Sequence, residues 1–425
     1  MSLPTGRRCS VVRSVLGTGV VTFALAACGG AGGAAAARTP GIAGDTIFIG
    51  ALTPLSDAVA VIGKPMLAGL TAYFDKVNAE EGGVSGKYKV KVLAEDITYA
   101  NPSSGAQKYQ KLKDQVAMFG MLVGTDQVNG VLPLLAEDSI IAVPTTFDAA
   151  WVRNEHLLPW GTPYQLQAIN GIGYALTDGG YAGKTVCTMT LATGYGQAAV
   201  DGVEYLAKAM GFKVPVNATF KQDDQDFVAP VTQLRNAGCG VIMLAALPSV
   251  TGKVLGTAAQ LGFAPRWIGT SPSWHQALAS SPIKDYLVKT FWQSWDGPAL
   301  SDTAEAGVRT MLAAQATYSP GQAPDWYYYA GYTLAFPIRA MLEKAIASGD
   351  LTRSGMGAAS QAPGTVASDG LVSAYTYGAA STRNPPRTAT IFRVNLSAPL
   401  GLEVVKRGVS VAAAQAYVFE KAPGR

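Results

Sequence analysis

The stretch MLVGTDQVNGVLPLLAEDSIIAVPTTFD, residues 121–148, decides the fold. Just before and into it, Phe119–Val123 is a short apolar run that stops at Gly124. That is the pattern of a strand buried on both faces. Thr125, Asp126 and Gln127 follow, and Val131, Leu134 and Leu135 then recur at helical spacing. A second apolar run, Ile140–Val143, is stopped by Pro144 and leads into Thr145, Thr146 and Phe147. Two strand ends therefore present polar tips side by side, and one of them opens a helix. In open α/β sheets, ligands bind outside the carboxyl ends of the strands. A helix N-terminus there offers free N–H groups and a positive dipole end, which suits a carboxylate. These residues alone leave two readings open, a carboxylate site or a pair of ordinary βα turns.

Strand and helix alternate on both sides of this stretch. Ile47–Leu52 and Val90–Leu93 read as strands, and Met66, Leu70, Tyr73, Phe74 and Val77 mark one helical face. A new series begins after Trp160, with Pro163–Gly171 as a crossing. It carries strands at Lys184–Leu191, Val214–Phe220, Gly240–Ala246 and Trp267–Gly269. Repeated βα units predict parallel sheets covered by helices. The expectation is an α/β fold of two doubly wound lobes around a cleft.

The first residues read differently. Arg7, Arg8 and Arg13 precede an apolar run from Val15 to Ala27. A bilayer span needs about 20 apolar residues, so this shorter run reads as the core of a signal peptide, residues 1–27. Leu25-Ala26-Ala27-Cys28-Gly29 resembles a bacterial lipobox, with Cys28 as the lipidated residue. The Gly/Ala-rich segment after it, 28–45, reads as a flexible tether. The chain is expected outside the cytoplasmic membrane, held to the membrane by lipid. Of the four cysteines, Cys187 and Cys239 then remain, each on or beside a predicted strand. They either pair or stay as buried thiols.

Catalytic signals are sparse. The 425 residues are 48 % apolar and 15 % charged, with a formal charge of +4 and no basic run, so nucleic acid is not an expected partner. Two histidines, His156 and His275, cannot build a His-rich metal site. Gly183-Lys184-Thr185 ends like a phosphate-binding loop, but Asp178 stands where the first glycine belongs and the triplet opens a strand. Asp223, Asp224 and Asp226 read as turn and helix-start acids. No catalytic residue, metal or cofactor is expected.

The order of motifs in the mature chain carries a resemblance. Asn78 precedes Glu81-Gly82-Gly83-Val84-Ser85-Gly86, a strand then leads to Glu95-Asp96, and Asn101-Pro102 and Lys111-Leu112 come before the opening stretch. From Thr46 to Arg407 this resembles the type I periplasmic solute-binding proteins of ABC importers, in their branched-chain amino-acid-binding (Leu/Ile/Val) family. The resemblance implies lobes of 46–165 plus 297–365 and 166–296 plus 366–425, joined by a three-crossing hinge. It implies a small solute, an ABC permease and an ATPase as partners. It places the ligand carboxylate at Thr125, Asp126 and Gln127 and at Thr145, Thr146 and Phe147, with Tyr195 closing over the ligand's apolar group and supplying a hydroxyl. Two positions depart from the family. Ser271 stands where amino-acid binders carry a carboxylate for the ligand's ammonium, and Leu247 stands where they carry an aromatic. With Trp274, and with His275 and Trp326 as further wall candidates, these departures point to an apolar carboxylate over leucine. Asp126 is the alternative amine partner. A ligand-sensing receptor subunit of the same fold and an exported hydrolase are the competing functions.

Overall fold

The computed structural model describes residues 39–420. The signal peptide and the Cys28 lipidation site lie outside the described residues. In chain order the elements are β1 (Ile42–Ala43), β2 (Thr46–Thr53), α1 (Ala60–Glu80), β3 (Lys89–Asp96), α2 (Pro102–Leu112), β4 (Met118–Leu122), α3 (Thr125–Asp138) and β5 (Ala142–Pro144). These make a sheet in which β2 lies between β3 and β4, and β5 follows β4, these four parallel and the short β1 antiparallel to β2. The chain then runs through α4 (Tyr164–Thr177), β6 (Thr185–Leu191), α5 (Gly194–Met210), β7 (Asn217–Phe220), α6 (Val228–Asn236), β8 (Cys239–Ala245), α7 (Pro248–Gln260), β9 (Arg266–Gly269), α8 (Lys284–Thr290) and β10 (Phe291–Trp295). It returns with α9 (Ala306–Tyr318), α10 (Trp326–Ser348), α11 (Arg353–Ser360) and the short pair β11 (Thr365–Val366) and β12 (Tyr375–Thr376). It ends with β13 (Ala389–Val394), β14 (Leu402–Val409) and α12 (Ala412–Ala416). The second sheet has the order β14-β13-β10-β9-β8-β6-β7, with β13 antiparallel to both of its neighbours, β10 and β14. This is the doubly wound, two-lobed α/β architecture.

Helices α1 and α10 meet backbone to backbone. A Cβ on Gly69 would lie 2.1 Å from the Tyr328 carbonyl oxygen, and one on Gly331 would lie 2.0 Å from that of Met66. Only glycine permits this approach. The crossing brings Ile62 and Met66 of α1 beside Tyr327 and Ala330 of α10, where they wall the cleft. In the second lobe, Cys187 of β6 and Cys239 at the start of β8 are joined by a disulfide between neighbouring strands, their Cα atoms 5.8 Å apart.

Three crossings form the hinge, and their polar side chains bind one another. Thr162 Oγ1 donates to the Thr388 carbonyl. Asp296 accepts from the Ser373 backbone N–H and hydroxyl, and Ser373 shares a hydrogen bond with the Thr388 hydroxyl. Burial pushes the Asp296 carboxyl up to about 6. Its folded-state value thus exceeds its unfolded one. The penalty of holding it ionised is small below about pH 4, builds as pH rises from about 4 to 6, and is fully present above 6. Asp296→Asn is therefore expected to raise the melting temperature more at pH 7.5 than at pH 4.5, by on the order of 1 kcal/mol in stability. Equal shifts at both pH values would rule out Asp296 as the titrating group.

Two expected boundaries move. The tether reading ran to residue 45, yet Ile42–Ala43 pairs antiparallel with Thr46–Ile47. Gly44, at φ +60°, makes the tight turn between them, a backbone conformation glycine adopts without steric cost. Residues 366–384, assigned by sequence to the second lobe, lie against segments assigned to the first. Tyr377 donates to the Pro159 carbonyl, and Arg383 donates to those of Asn154 and Leu157.

Candidate ligand-binding cleft

The cleft lies where the carboxyl ends of both parallel sheets face each other. Gly124, at φ +98°, ends β4 and caps α3. Its turn brings Asp126, in the first turn of α3, across to the second lobe. There Asp126 Oδ1 accepts from the Gly194 N–H that opens α5, at 2.9 Å. A carboxylate at a helix N-terminus is stabilised by the dipole and the free N–H groups, so this contact holds the lobes closed. Asp126→Ala is expected to weaken solute affinity about three- to tenfold by removing a charge-assisted bond found only in the closed form. Unchanged affinity in calorimetry would show that closure does not use it.

The closed cleft has two compartments. The outer one, about 760 Å³, is lined by Asp57, Tyr99, Thr125 and Asp126 from one lobe and by Thr193, Lys221 and Lys253 from the other. The inner one is a cavity of about 40 Å³, room for a few waters. Its walls are Ile62 and Met66 of α1, Trp326, Tyr327 and Ala330 of α10, and Thr145 and Phe147 after β5. Tyr164 at the start of α4, Ser271 and Pro272 after β9, and Trp295 at the end of β10 complete it. Near the two compartments the hydroxyls of Thr125 and Thr146 lie 2.5 Å apart. The Tyr164 and Tyr195 rings pack with centres 4.8 Å apart, and the Tyr195 and Thr270 hydroxyls share a hydrogen bond of 2.6 Å. Burial raises both tyrosines well above the ordinary phenol range, so they stay neutral.

The sequence-selected residues divide between these spaces. Thr125, Asp126 and Gln127 line the outer compartment, and Thr145, Phe147 and Ser271 the inner one. Gln127 spends its amide on its own lobe. It accepts from Gly105 N–H and donates to the carbonyls of Thr98, Tyr99 and Asn101, which shapes the wall. Leu247 lines neither compartment and is buried at the start of α7. Trp274, an expected cleft wall, lies instead in the second lobe's core. Its indole N–H donates to the Leu400 carbonyl and its ring stacks on Phe291. The turn before β14 supplies the acceptor that this large apolar ring needs once buried. His275 faces Tyr327 and stands 4.0 Å from Asp325. Trp326 does line the cavity, whereas Ile62, Met66, Tyr164, Trp295 and Tyr327 are wall residues that sequence reasoning missed. The aromatic run Trp326–Tyr329 behind the capping Asp325 was the available signal.

No charged side chain lines the inner cavity. The nearby Asp325, which burial pushes up to about 6, caps α10 by accepting from the N–H groups of Tyr327 and Tyr328. A buried ammonium there would lack a counter-charge, at a cost of several kcal/mol or more in order of magnitude. Among the described residues there is no cluster of metal-ligating side chains, and no helix is long and apolar enough to cross a membrane.

Comparison with known proteins agrees with this architecture. The periplasmic binding protein family model matches residues 46–398. A Leu/Ile/Val-binding protein homolog 2 of Brucella abortus is 24 % identical over 295 residues, covering 67 % of this chain and 76 % of the relative. The structure of a fatty acid ABC transporter substrate-binding protein from Thermomonospora curvata superposes with a TM-score of 0.83 at 25 % identity, covering 90 % of this chain and 97 % of the other. A branched-chain amino acid ABC transporter structure from Thermus thermophilus, with bound valine, matches with a TM-score of 0.75 at 15 % identity over 88 % of this chain and 99 % of the other. The chain belongs to the periplasmic binding protein family, in its two-lobed type I form.

Proposed function

We propose that this chain is the lipid-anchored, extracytoplasmic solute-binding protein of an ABC importer, and that its solute is an apolar carboxylate. One observation carries the reading of the solute: the inner cavity is walled by apolar and neutral side chains, with Ser271 where an ammonium-binding carboxylate would be needed. The carboxylate is assigned to the hydroxyls of Thr125 and Thr146 and the neutral phenol of Tyr164. The apolar body occupies the space between α1, α10 and Trp295, widened as the lobes part. Closure then sequesters the solute, and reopening at the permease releases it. The fatty-acid name of the Thermomonospora protein supports an apolar acid, and the valine in the Thermus protein shows what a sibling fold accepts.

A thermal-shift screen of the purified protein tests the proposal, because a ligand that binds only the folded state raises the melting temperature by mass action. Apolar carboxylates, both alkyl and ring-bearing, are expected to raise it by several degrees at a hundredfold excess over Kd. Leucine and valine are expected to leave it unchanged. A shift with leucine or valine alone would overturn the solute assignment and make Asp126 the amine partner.

A further inference from the structure

Eighteen buried side-chain polar atoms among the described residues lack a hydrogen-bond partner within the chain. Four of them, Thr145 Oγ1, Ser271 Oγ, Trp295 Nε1 and Trp326 Nε1, belong to the eleven residues that wall the inner cavity. Folded proteins pair nearly all their buried polar groups, and an unmade bond is costly. Four such atoms gathered in one small wall mark a place where the partner comes from outside the chain.

Their chemistry narrows that partner. An indole N–H donates and cannot accept, and a hydroxyl can do both. The set therefore suits a hydrogen-bond acceptor, with two indole donors that cannot accept and no negative charge to pair with an ammonium. Thr145 stands next to Thr146, at the end assigned to the carboxylate. The other three come from a different part of the wall: the turn after β9, the end of β10 and the start of α10. Trp295 and Trp326 adjoin each other there, with ring centres 6.4 Å apart. All four atoms are shut off from solvent, so an apolar group placed against them leaves them unpaired.

We propose that Ser271, Trp295 and Trp326 form a donor subsite for a second acceptor on the solute, an oxo, hydroxyl or ring oxygen carried on its apolar body and separate from its carboxylate. The substrate class becomes an oxygenated apolar acid. This rests on the reading of the solute as an apolar carboxylate. The indoles fix the apolar body by packing and read its oxygen by hydrogen bonding. A site built to pair with a ligand oxygen rejects the analogue that lacks it, because its own buried donors then stay unpaired.

Calorimetry on the full chain with two probes tests the proposal: cyclohexylpropanoate, and its counterpart carrying a ketone on the ring at the carbon opposite the side chain. The ketone is expected to bind at least about tenfold tighter. Trp295→Phe, Trp326→Phe and Ser271→Ala should each weaken the ketone more than the plain acid, so that the ratio of the two affinities falls in every variant. A cooperative unfolding transition like that of the unsubstituted protein shows that the variants fold. Equal or tighter binding of the plain acid by the unsubstituted protein overturns the subsite and leaves the carboxylate reading standing. Failure of both acids to bind overturns that reading and the subsite together. A ketone preference that survives all three substitutions overturns the assignment to these residues.

Discussion

Ser271→Asp is expected to weaken binding of an apolar carboxylate at least about a hundredfold and to create measurable affinity for leucine. The new carboxylate would stand in the wall of the inner cavity, facing a ligand that is itself an anion. At a separation of about 5 Å and an effective dielectric of about 20, two like unit charges repel by about 3 kcal/mol, which is roughly a hundredfold in affinity. Burial adds a further cost to any ionised group placed there. The same charge supplies the partner that an ammonium lacks in the native cavity. The fold should tolerate the change, because the turn is held by backbone atoms of Ser271. Its N–H donates to Gln167 and its carbonyl accepts from Gln293, at 2.9 and 3.0 Å. Paired calorimetric titrations with cyclohexylpropanoate and leucine read both effects at once. Undiminished binding of the acid by the Asp variant would place the solute away from Ser271.

Removing the disulfide by Cys187→Ala with Cys239→Ala is expected to cost about 4 kcal/mol of stability. The bond closes a loop between residues 52 apart in sequence, and the chain-entropy account gives about 3 to 5 kcal/mol for loops of this order. Solute affinity is expected to stay unchanged. Cys239 opens β8, and Cys187 is near the start of β6, whereas ligands of such sheets bind at the carboxyl ends of the strands. Guanidinium unfolding of the variant, and of the native protein with and without reductant, measures the loss. A difference below about 1 kcal/mol would show that the pair contributes little beyond the hydrogen bonds of its strands.

The sequence alone determined the architecture. Apolar runs such as Phe119–Val123 and Ile140–Val143 have to be buried, and helical spacing such as Met66, Leu70 and Phe74 has to cover them. Both signals are local and periodic, so they are legible one residue after another. The polar tips at Thr125 and Thr145–Thr146 were legible for the same reason, since they stand at strand ends. The inner cavity was not. Its walls come from α1, α10, β10 and the turns after β5 and β9, which are far apart in the chain and meet through the Gly69–Gly331 crossing and the hinge. Trp274 and Trp295 look alike as letters. The Leu400 carbonyl draws one indole into the core, while the end of β10 leaves the other in the cleft wall without a partner. Asp126 likewise could have met an ammonium, and only the approach of α5 gave its carboxylate the Gly194 N–H instead. Periodicity fixes which face of an element is buried, but only the packing of distant elements decides which polar atom finds a partner and which is left for the ligand.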